Sequence, residues 1–201
     1  MKLYVVRHGQ TDYNKANLFQ GRQNIELNDT GLQQASEIAK KLQSVIAKEE
    51  IIDKLLVSPL TRAIQTAEPI SKTLSIPITL CDDLIERSYG NMEGKANRPD
   101  WNNIMMLDYN RNYTMENIEP IQDVFKRVYH FLDQLVNDCN TIEKNQKREI
   151  NIILVTHACI TIIIECYFNG SPSHLDYNTL EPLVLKNGDI RQYSNIHSNV
   201  I

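Results

Sequence analysis

A run of four apolar residues, Ile152-Ile153-Leu154-Val155, constrains the fold of this chain more than any other feature. A continuous apolar run of this length is typical of a strand that is buried on both faces of a parallel sheet. Parallel strands need long crossover connections, which are usually helices. Apolar residues recur at helical spacing over about 29–48, 59–74, 121–142 and 158–169, which predicts four helices. A strand remains a second interpretation of the isoleucine-rich stretch 158–169.

Shorter apolar runs predict the remaining strands. They lie around Val5, at 55–57 and at 78–84, and residues 183–185 with 190–193 predict a closing hairpin around the turn Asn187-Gly188. Because strands alternate with helices, we expect an α/β fold, a three-layer α/β/α sandwich around a mostly parallel central sheet. The 201 residues show no linker or repeat, so we expect one domain over 1–201. Residues 95–120 have no sustained period and predict a lid-like excursion.

Charge and composition argue against several classes of partner. The formal net charge of −4 gives no support for a nucleic-acid partner or an anionic membrane surface, so an anion would need a local cationic pocket. The longest apolar run, from Cys159 to Cys166, is too short to span a bilayer. The four cysteines have no CxxC spacing, which predicts reduced thiols, a cytoplasmic location and no zinc site.

Charged side chains follow four of the predicted strands at the point where each strand ends. Arg7 and His8 follow the first strand, Arg62 lies one helical turn after the second, Glu86 follows the third and His157 ends the fourth. The carboxyl ends of the strands in a doubly wound sheet converge on one crevice, so we expect these side chains to meet there. Two arginines, two histidines and a carboxylate suit phosphoryl transfer, in which charge spreads over three oxygens.

These stretches resemble the histidine phosphatase superfamily, also called the phosphoglycerate-mutase-like family. The similarity is carried by Arg7-His8-Gly9-Gln10-Thr11 with Asn14, by 58–67 around Arg62, by 84–94 around Glu86, by Val155-Thr156-His157, by Gln20-Gly21 and by Leu27 with Gly31. The matching segments occur in the family's order from residue 2 to about 170. The resemblance implies a phosphoglycerate-mutase-like fold, a phosphatase activity and no cofactor.

The resemblance also implies a role for each residue. His8 would be the nucleophile that forms a phosphohistidine, and Glu86 would protonate the leaving oxygen and then activate water. Arg7, Arg62 and His157 would hold the transferred oxygens. Further phosphate contacts would come from Asn14, Gln20, Gly21 and the backbone amide of Ala158. A histidine nucleophile must be neutral, and flanking arginines lower its pKa. Burial raises the pKa of Glu86 and the arginines lower it, so the sequence leaves the balance at this carboxyl group open.

The favoured hypothesis is a metal-independent phosphomonoester hydrolase that acts on a small phosphorylated metabolite. The alternatives are a cofactor-dependent phosphoglycerate mutase and a non-catalytic module that binds a phosphorylated ligand. Mutases of the family resemble one another in a longer insertion with adjacent arginines, whereas 95–120 contains only scattered Lys95, Arg98 and Arg111. A binding module would not need a nucleophile with an acid. The substrate and the oligomeric state, monomer or homodimer, stay open.

One residue departs from the family pattern close to the site. Cys159 stands where the family commonly has a glycine after the second histidine. A cysteine near a helix N-terminus can be a reactive thiol. We favour a small buried apolar residue instead, because free cysteines are among the most buried residue types.

Overall fold

The computed structural model describes residues 1–46, 50–96, 117–171 and 181–194. The strands are β1 (Lys2–Arg7), β2 (Lys54–Val57), β3 (Ile78–Leu80), β4 (Asn151–Thr156) and β5 (Ile190–Tyr193). The α-helices are α1 (Asp12–Lys15), α2 (Asp29–Val45), α3 (Thr61–Leu74), α4 (Ile121–Gln146) and α5 (Ala158–Asn169). Short 3-10 helices span Asp82–Leu84, Gly90–Met92 and Glu181–Leu183. Within these residues no helix is long and apolar enough to cross a membrane.

The strands form one sheet in the order β3-β2-β4-β1-β5. The pairs β1–β4, β4–β2 and β2–β3 are parallel, and only β5 runs antiparallel, against β1. Val155 of β4 pairs with Val6 on one side and with Val57 on the other, so three strands end at the same edge of the sheet. This register brings Arg7, His8, Arg62 and His157 together, since they lie at or just after the ends of these three strands. Glu86 follows β3, which is the parallel neighbour of β2.

Alternate residues of the strands face two separate cores. Leu3 of β1 and Ile152 of β4 pack on one face against the apolar sides of α4 and α5. Tyr4 and Ile153 pack on the other face, against α2 and α3. Both faces of the central strands are therefore buried, which is why the β4 run has no polar alternation. The predicted three-layer α/β/α sandwich is confirmed.

Three local predictions differ from the structure. Helix α3 begins at Thr61 rather than at residue 59. At Thr61, the backbone N–H donates a hydrogen bond to the Asn24 side chain (2.7 Å). The strand expected over 78–84 ends at residue 80 and continues as a 3-10 helix. The predicted hairpin is wrong, because β5 pairs with the open edge of β1 while the stretch before it buries Leu185 in the core. The helix over 158–169 is confirmed, and most of the lid-like excursion expected at about 95–120 lies outside the described residues.

Candidate active site

A cleft of about 160 Å3 opens at the shared carboxyl edge of the sheet. Eight of the nine predicted site residues line this cleft, namely Arg7, His8, Asn14, Gln20, Gly21, Arg62, Glu86 and Ala158. The ninth, His157, lies beside His8, with 5.1 Å between the two ring centroids. Among the described residues, four more line the cleft that the sequence did not indicate as site residues: Asn17, Leu18, Phe19 and Tyr89.

The hydrogen bond of His8 identifies its tautomer. Its Nδ1 atom lies 2.7 Å from the carbonyl oxygen of Gly9. A carbonyl oxygen only accepts, so Nδ1 carries the proton and Nε2 keeps the lone pair. The ring is 2% exposed, and burial, together with the charges of Arg62 and Arg7, holds the pKa of His8 well below its ordinary value. His8 therefore presents a neutral ring whose Nε2 atom is unprotonated and keeps its lone pair.

Two arginines flank His8, and backbone carbonyl groups hold both of them. Arg62, in the first turn of α3, donates to the oxygens of Gly21 and Gln23, both at 2.8 Å. Arg7 donates to the oxygen of Leu185 at 2.6 Å. Burial lowers the pKa of both guanidinium groups, that of Arg62 to about 10, so Arg62 stays charged at neutral pH. The Nε atoms of both are buried without a partner among the described residues, and an anionic ligand would satisfy such donors.

Glu86 is a buried carboxyl group that accepts hydrogen bonds from the backbone. Its Oε1 atom accepts from the N–H of Arg87 (2.8 Å), and its Oε2 atom accepts from the N–H of Cys159 (3.4 Å). The side chain is 6% exposed. Burial raises the pKa of Glu86 above its ordinary value, against the opposing effects of these N–H groups and of Arg62 and Arg7. The balance that the sequence left open is thus decided by desolvation.

His157 follows β4, at the N-cap of α5, and is completely buried. Its Nε2 atom lies 2.7 Å from the hydroxyl of Ser58, and its Nδ1 atom has no partner within the described part of the chain. Burial, Arg62 and His8 hold the pKa of His157 well below its ordinary value, so the ring is neutral. A buried polar atom without a partner is costly, and a ligand oxygen could provide the missing partner.

Two amide side chains complete the cleft, and Thr11 orients both. Thr11 caps α1, and its N–H and hydroxyl lie 3.1 and 3.0 Å from the Oδ1 atom of Asn14. The same hydroxyl lies 2.9 Å from the Oε1 atom of Gln20. The Thr11 hydroxyl has one proton and donates to one of these two oxygens at a time. Because both contacts use amide oxygens, the NH2 groups of Asn14 and Gln20 remain available as donors within the described residues. Gly21 follows with φ of +51°, where a Cβ atom would come within 1.9 Å of the Glu93 carboxylate.

The family model of the histidine phosphatase superfamily (branch 1) matches residues 3–188. The chain belongs to this superfamily. It is 30% identical to an uncharacterized phosphatase, PhoE, of Bacillus subtilis, over 91% of this chain and 85% of that protein. It is 39% identical to the 2,3-bisphosphoglycerate-dependent phosphoglycerate mutase of Streptococcus mutans, but over only 47% of this chain and 41% of the mutase.

Solved structures also match the fold. A mycobacterial glucosyl-3-phosphoglycerate phosphatase superposes with a TM-score of 0.77 at 22% identity, over 95% of this chain and 88% of that one. The predictions of a phosphoglycerate-mutase-like fold and of a phosphatase of the histidine phosphatase type are therefore confirmed. Among the described residues, no group of three His, Cys, Asp or Glu side chains could hold a metal ion.

Asn187, which the sequence indicated only as a turn residue, contacts the site of this histidine phosphatase. Its amide nitrogen lies 3.0 Å from the carbonyl oxygen of His8, 3.4 Å from that of Gly9 and 3.2 Å from Oδ1 of Asn14. These contacts join positions more than 170 residues apart, so no local pattern could have indicated them. The turn before β5 thus braces the histidine and one of the amides.

Cys159 is a buried residue rather than a reactive thiol. Its side chain is 1% exposed, and burial raises the pKa of the thiol. Its contribution to the site is the backbone N–H that Glu86 accepts. The expectation of a small buried residue at this position is confirmed.

Proposed function

We propose that this phosphatase is a metal-independent phosphomonoester hydrolase that passes the phosphoryl group of a small phosphorylated metabolite to His8 and then to water. The observation that carries the proposal is the bond from Nδ1 of His8 to the oxygen of Gly9, which leaves Nε2 as a neutral nucleophile between two held arginines. A protonated histidine could not attack phosphorus. A ligand-binding site would need the arginines but not this tautomer.

In the first step, Arg7 and Arg62 bind the oxygens of the phosphoryl group, and the amides of Asn14 and Gln20 donate to them. The Nε2 atom of His8 attacks phosphorus, and the bond from phosphorus to the ester oxygen breaks. Glu86, whose pKa burial raises, gives its proton to the departing oxygen. The products of this step are an alcohol, phosphohistidine and the Glu86 carboxylate.

In the second step, water attacks the phosphohistidine. The Glu86 carboxylate takes a proton from that water, and the bond between phosphorus and Nε2 of His8 breaks. Inorganic phosphate forms, and neutral His8 and protonated Glu86 are restored. The two arginines supply positive charge to the transferred oxygens in both steps, which is the contribution that a metal ion makes in many phosphatases.

A phosphatase is favoured over a mutase because the long match, over 85% of the relative, is to a protein named as a phosphatase. The match to the mutase covers less than half of either protein.

We also propose that residues 1–201 form one domain that acts in the cytoplasm on metabolites, without a nucleic acid or membrane partner. The four free cysteines are consistent with a reducing compartment.

The deciding experiment traps the intermediate. A panel of phosphomonoesters assayed in EDTA first identifies a substrate. Brief mixing with that substrate labelled with 32P, followed by an alkaline quench, should leave base-stable, acid-labile label on His8. The panel includes 3-phosphoglycerate with its bisphosphate cofactor, which tests the mutase alternative. The substitution His8→Ala should abolish the label, whereas His130→Ala, which changes an exposed histidine on α4, should not. Label that survives His8→Ala but is lost in His157→Ala would reverse the two histidines.

A further inference from the structure

Arginine side chains hold both peptide groups of Glu86. The carbonyl oxygen of Ile85, before it, accepts from Nη2 of Arg127 at 2.8 Å. The carbonyl oxygen of Glu86 itself accepts from Nε of Arg22 at 3.2 Å. Arg127 comes from α4 and Arg22 from the loop after Gly21, so two separate parts of the fold fix the backbone on either side of this residue.

Glu119 joins these two arginines. Its Oε1 atom lies 3.0 Å from Nη2 of Arg22 and 3.2 Å from Nε of Arg127. Its Oε2 atom accepts from the N–H of Ser88 at 3.0 Å. The backbone of Glu119 makes two further hydrogen bonds. Its N–H donates to the carbonyl oxygen of Ser88 (2.9 Å), and its carbonyl oxygen accepts from Nε of Arg87 (2.8 Å). Glu119 is therefore bonded to the segment that follows Glu86 and to both arginines that hold Glu86.

We propose that Glu119 and its two arginines, Arg22 and Arg127, are positioning residues for the acid Glu86. The proposal rests on the proposed function, in which Glu86 protonates the leaving oxygen. The three side chains would act through the backbone, since none of them lines the cleft among the described residues. They go beyond the family motifs recognised in the sequence, none of which includes Glu119 or Arg127.

The physical reason is that backbone orientation sets the position of the Glu86 carboxyl group. Within the described residues this group accepts from the N–H groups of Arg87 and Cys159. The first of these belongs to the peptide whose carbonyl oxygen Arg22 holds, so a rotation of that peptide moves the carboxyl group as well. Proton transfer requires hydrogen-bond reach, and small displacements are known to reduce rates strongly.

Arg22 also links the acid to the phosphate pocket. It follows Gly21, whose carbonyl oxygen accepts from Arg62, and its own N–H donates to Glu93 at 3.0 Å. The loop that orients a phosphate arginine is thus tied to the segment that carries the acid. We expect the leaving oxygen and the carboxyl group to keep their separation because of this connection.

The test compares two leaving groups in single-turnover phosphorylation of the protein. An alkoxide needs a proton as it departs, whereas p-nitrophenolate leaves with little help. We expect Arg22→Ala and Glu119→Gln to slow phosphorylation by the best alkyl phosphate of the panel about tenfold or more. Phosphorylation by p-nitrophenyl phosphate should change by less than about threefold. Glu86→Gln serves as the reference and should show the same dependence more strongly.

The matched control is Arg148→Ala. Arg148 resembles Arg22 in exposure and pairing: it is 36% exposed and paired with Asp53, whereas Arg22 is 42% exposed and paired with Glu119. Arg148 lies at the opposite edge of the sheet from the cleft. It should leave both rates unchanged. If Glu86→Gln shows the leaving-group dependence but Arg22→Ala and Glu119→Gln slow both substrates equally or neither, the positioning role is refuted while the proposed function stands. If Glu86→Gln lacks the dependence, the acid itself has been misassigned and both proposals fail. Should Glu119→Gln fold poorly, Arg22→Ala decides alone, because that side chain is half exposed.

Discussion

Replacing Glu86 by glutamine should stabilise the protein at neutral and alkaline pH although it removes the proposed acid. The carboxyl group is 6% exposed, and burial raises its pKa despite two nearby arginines. A raised pKa means that the folded protein favours the neutral form. Glutamine has the shape of glutamic acid and is neutral at every pH, so the variant avoids the free energy of ionising a buried group.

The direction of the pH dependence follows from linkage. Below the pKa of Glu86 in the unfolded chain, the carboxyl group is protonated in both states, and the stabilities of the two proteins should differ by no more than about 0.5 kcal/mol, the cost of the lost bond from Cys159. As the pH rises through the raised pKa of the folded state, the wild-type protein loses stability relative to the variant. The difference between them should therefore grow with pH and then level off.

The size of the effect follows from two opposing contributions. Glutamine keeps an acceptor for the 2.8 Å bond from Arg87 but loses the 3.4 Å bond from Cys159, at a cost of about 0.5 kcal/mol. Removing an incompletely paired buried charge gains about 1–3 kcal/mol. We expect a net gain of about 0.5–2.5 kcal/mol at pH 8, or roughly 1–10 °C in Tm for a chain of this length.

Urea unfolding of both proteins at constant ionic strength, from acid to alkaline pH, measures this difference. Glu165→Gln is the control of opposite sign. Although burial opposes it, hydrogen bonds from Tyr193 and Asn169 and the charge of Arg191 hold the pKa of Glu165 below its ordinary value. That variant should be destabilised at neutral pH, with a loss that shrinks in acid. A Glu86→Gln protein that is less stable than wild type at pH 8, or whose advantage does not vary with pH, would refute the claim that burial dominates at this site.

Three further outcomes are expected. Activity should persist after exhaustive chelation, since Arg7 and Arg62 already supply positive charge; activity lost in EDTA and restored by a divalent cation would contradict the mechanism. Asn187→Ala should lower kcat/KM about tenfold through loosened placement of His8 and Asn14, and an unchanged value would show that the turn is dispensable. Gly9→Ala should destabilise the fold by about 2–4 kcal/mol in urea unfolding, because its Cβ atom would lie 2.5 Å from the backbone oxygen of Gly31; a change below about 0.5 kcal/mol would contradict that contact.

The central sheet was predictable because its information is local. The β4 run and the helical spacing on either side of it indicate parallel strands joined by helices, and the register of Val155 with Val6 and Val57 bears this out. The antiparallel edge was not predictable in the same way. Residues 183–185 have the composition of a strand, but strand pairing depends on which edge of the sheet is open. One open edge is that of β1, and β5 pairs with it.

The site was predictable to the extent that its residues follow strands. That rule brought Arg7, Arg62 and Glu86 to one cleft without any tertiary information. It could not find Glu119, which lies just before α4, or Asn187, which lies in the turn before β5. Both residues contact segments that are distant in the sequence. Such residues have no local periodicity and no motif of their own. Only the packed structure shows that Glu119 contacts the segment after Glu86 and that Asn187 contacts the backbone of His8.

Burial shifts the pKa values of His8 and Glu86, the two groups proposed to react, in opposite directions. At His8 it disfavours the cation and lowers the pKa, and the arginines act in the same direction. At Glu86 it disfavours the anion and raises the pKa, while the arginines oppose it. In a cleft with the same residues but open to water, the arginines would determine the pKa of Glu86. They would lower it and favour the carboxylate, which has no proton to donate. The depth of the cleft, rather than the set of residues alone, thus favours a neutral His8 and a protonated Glu86 in the same cleft, which are the two states that the proposed mechanism requires.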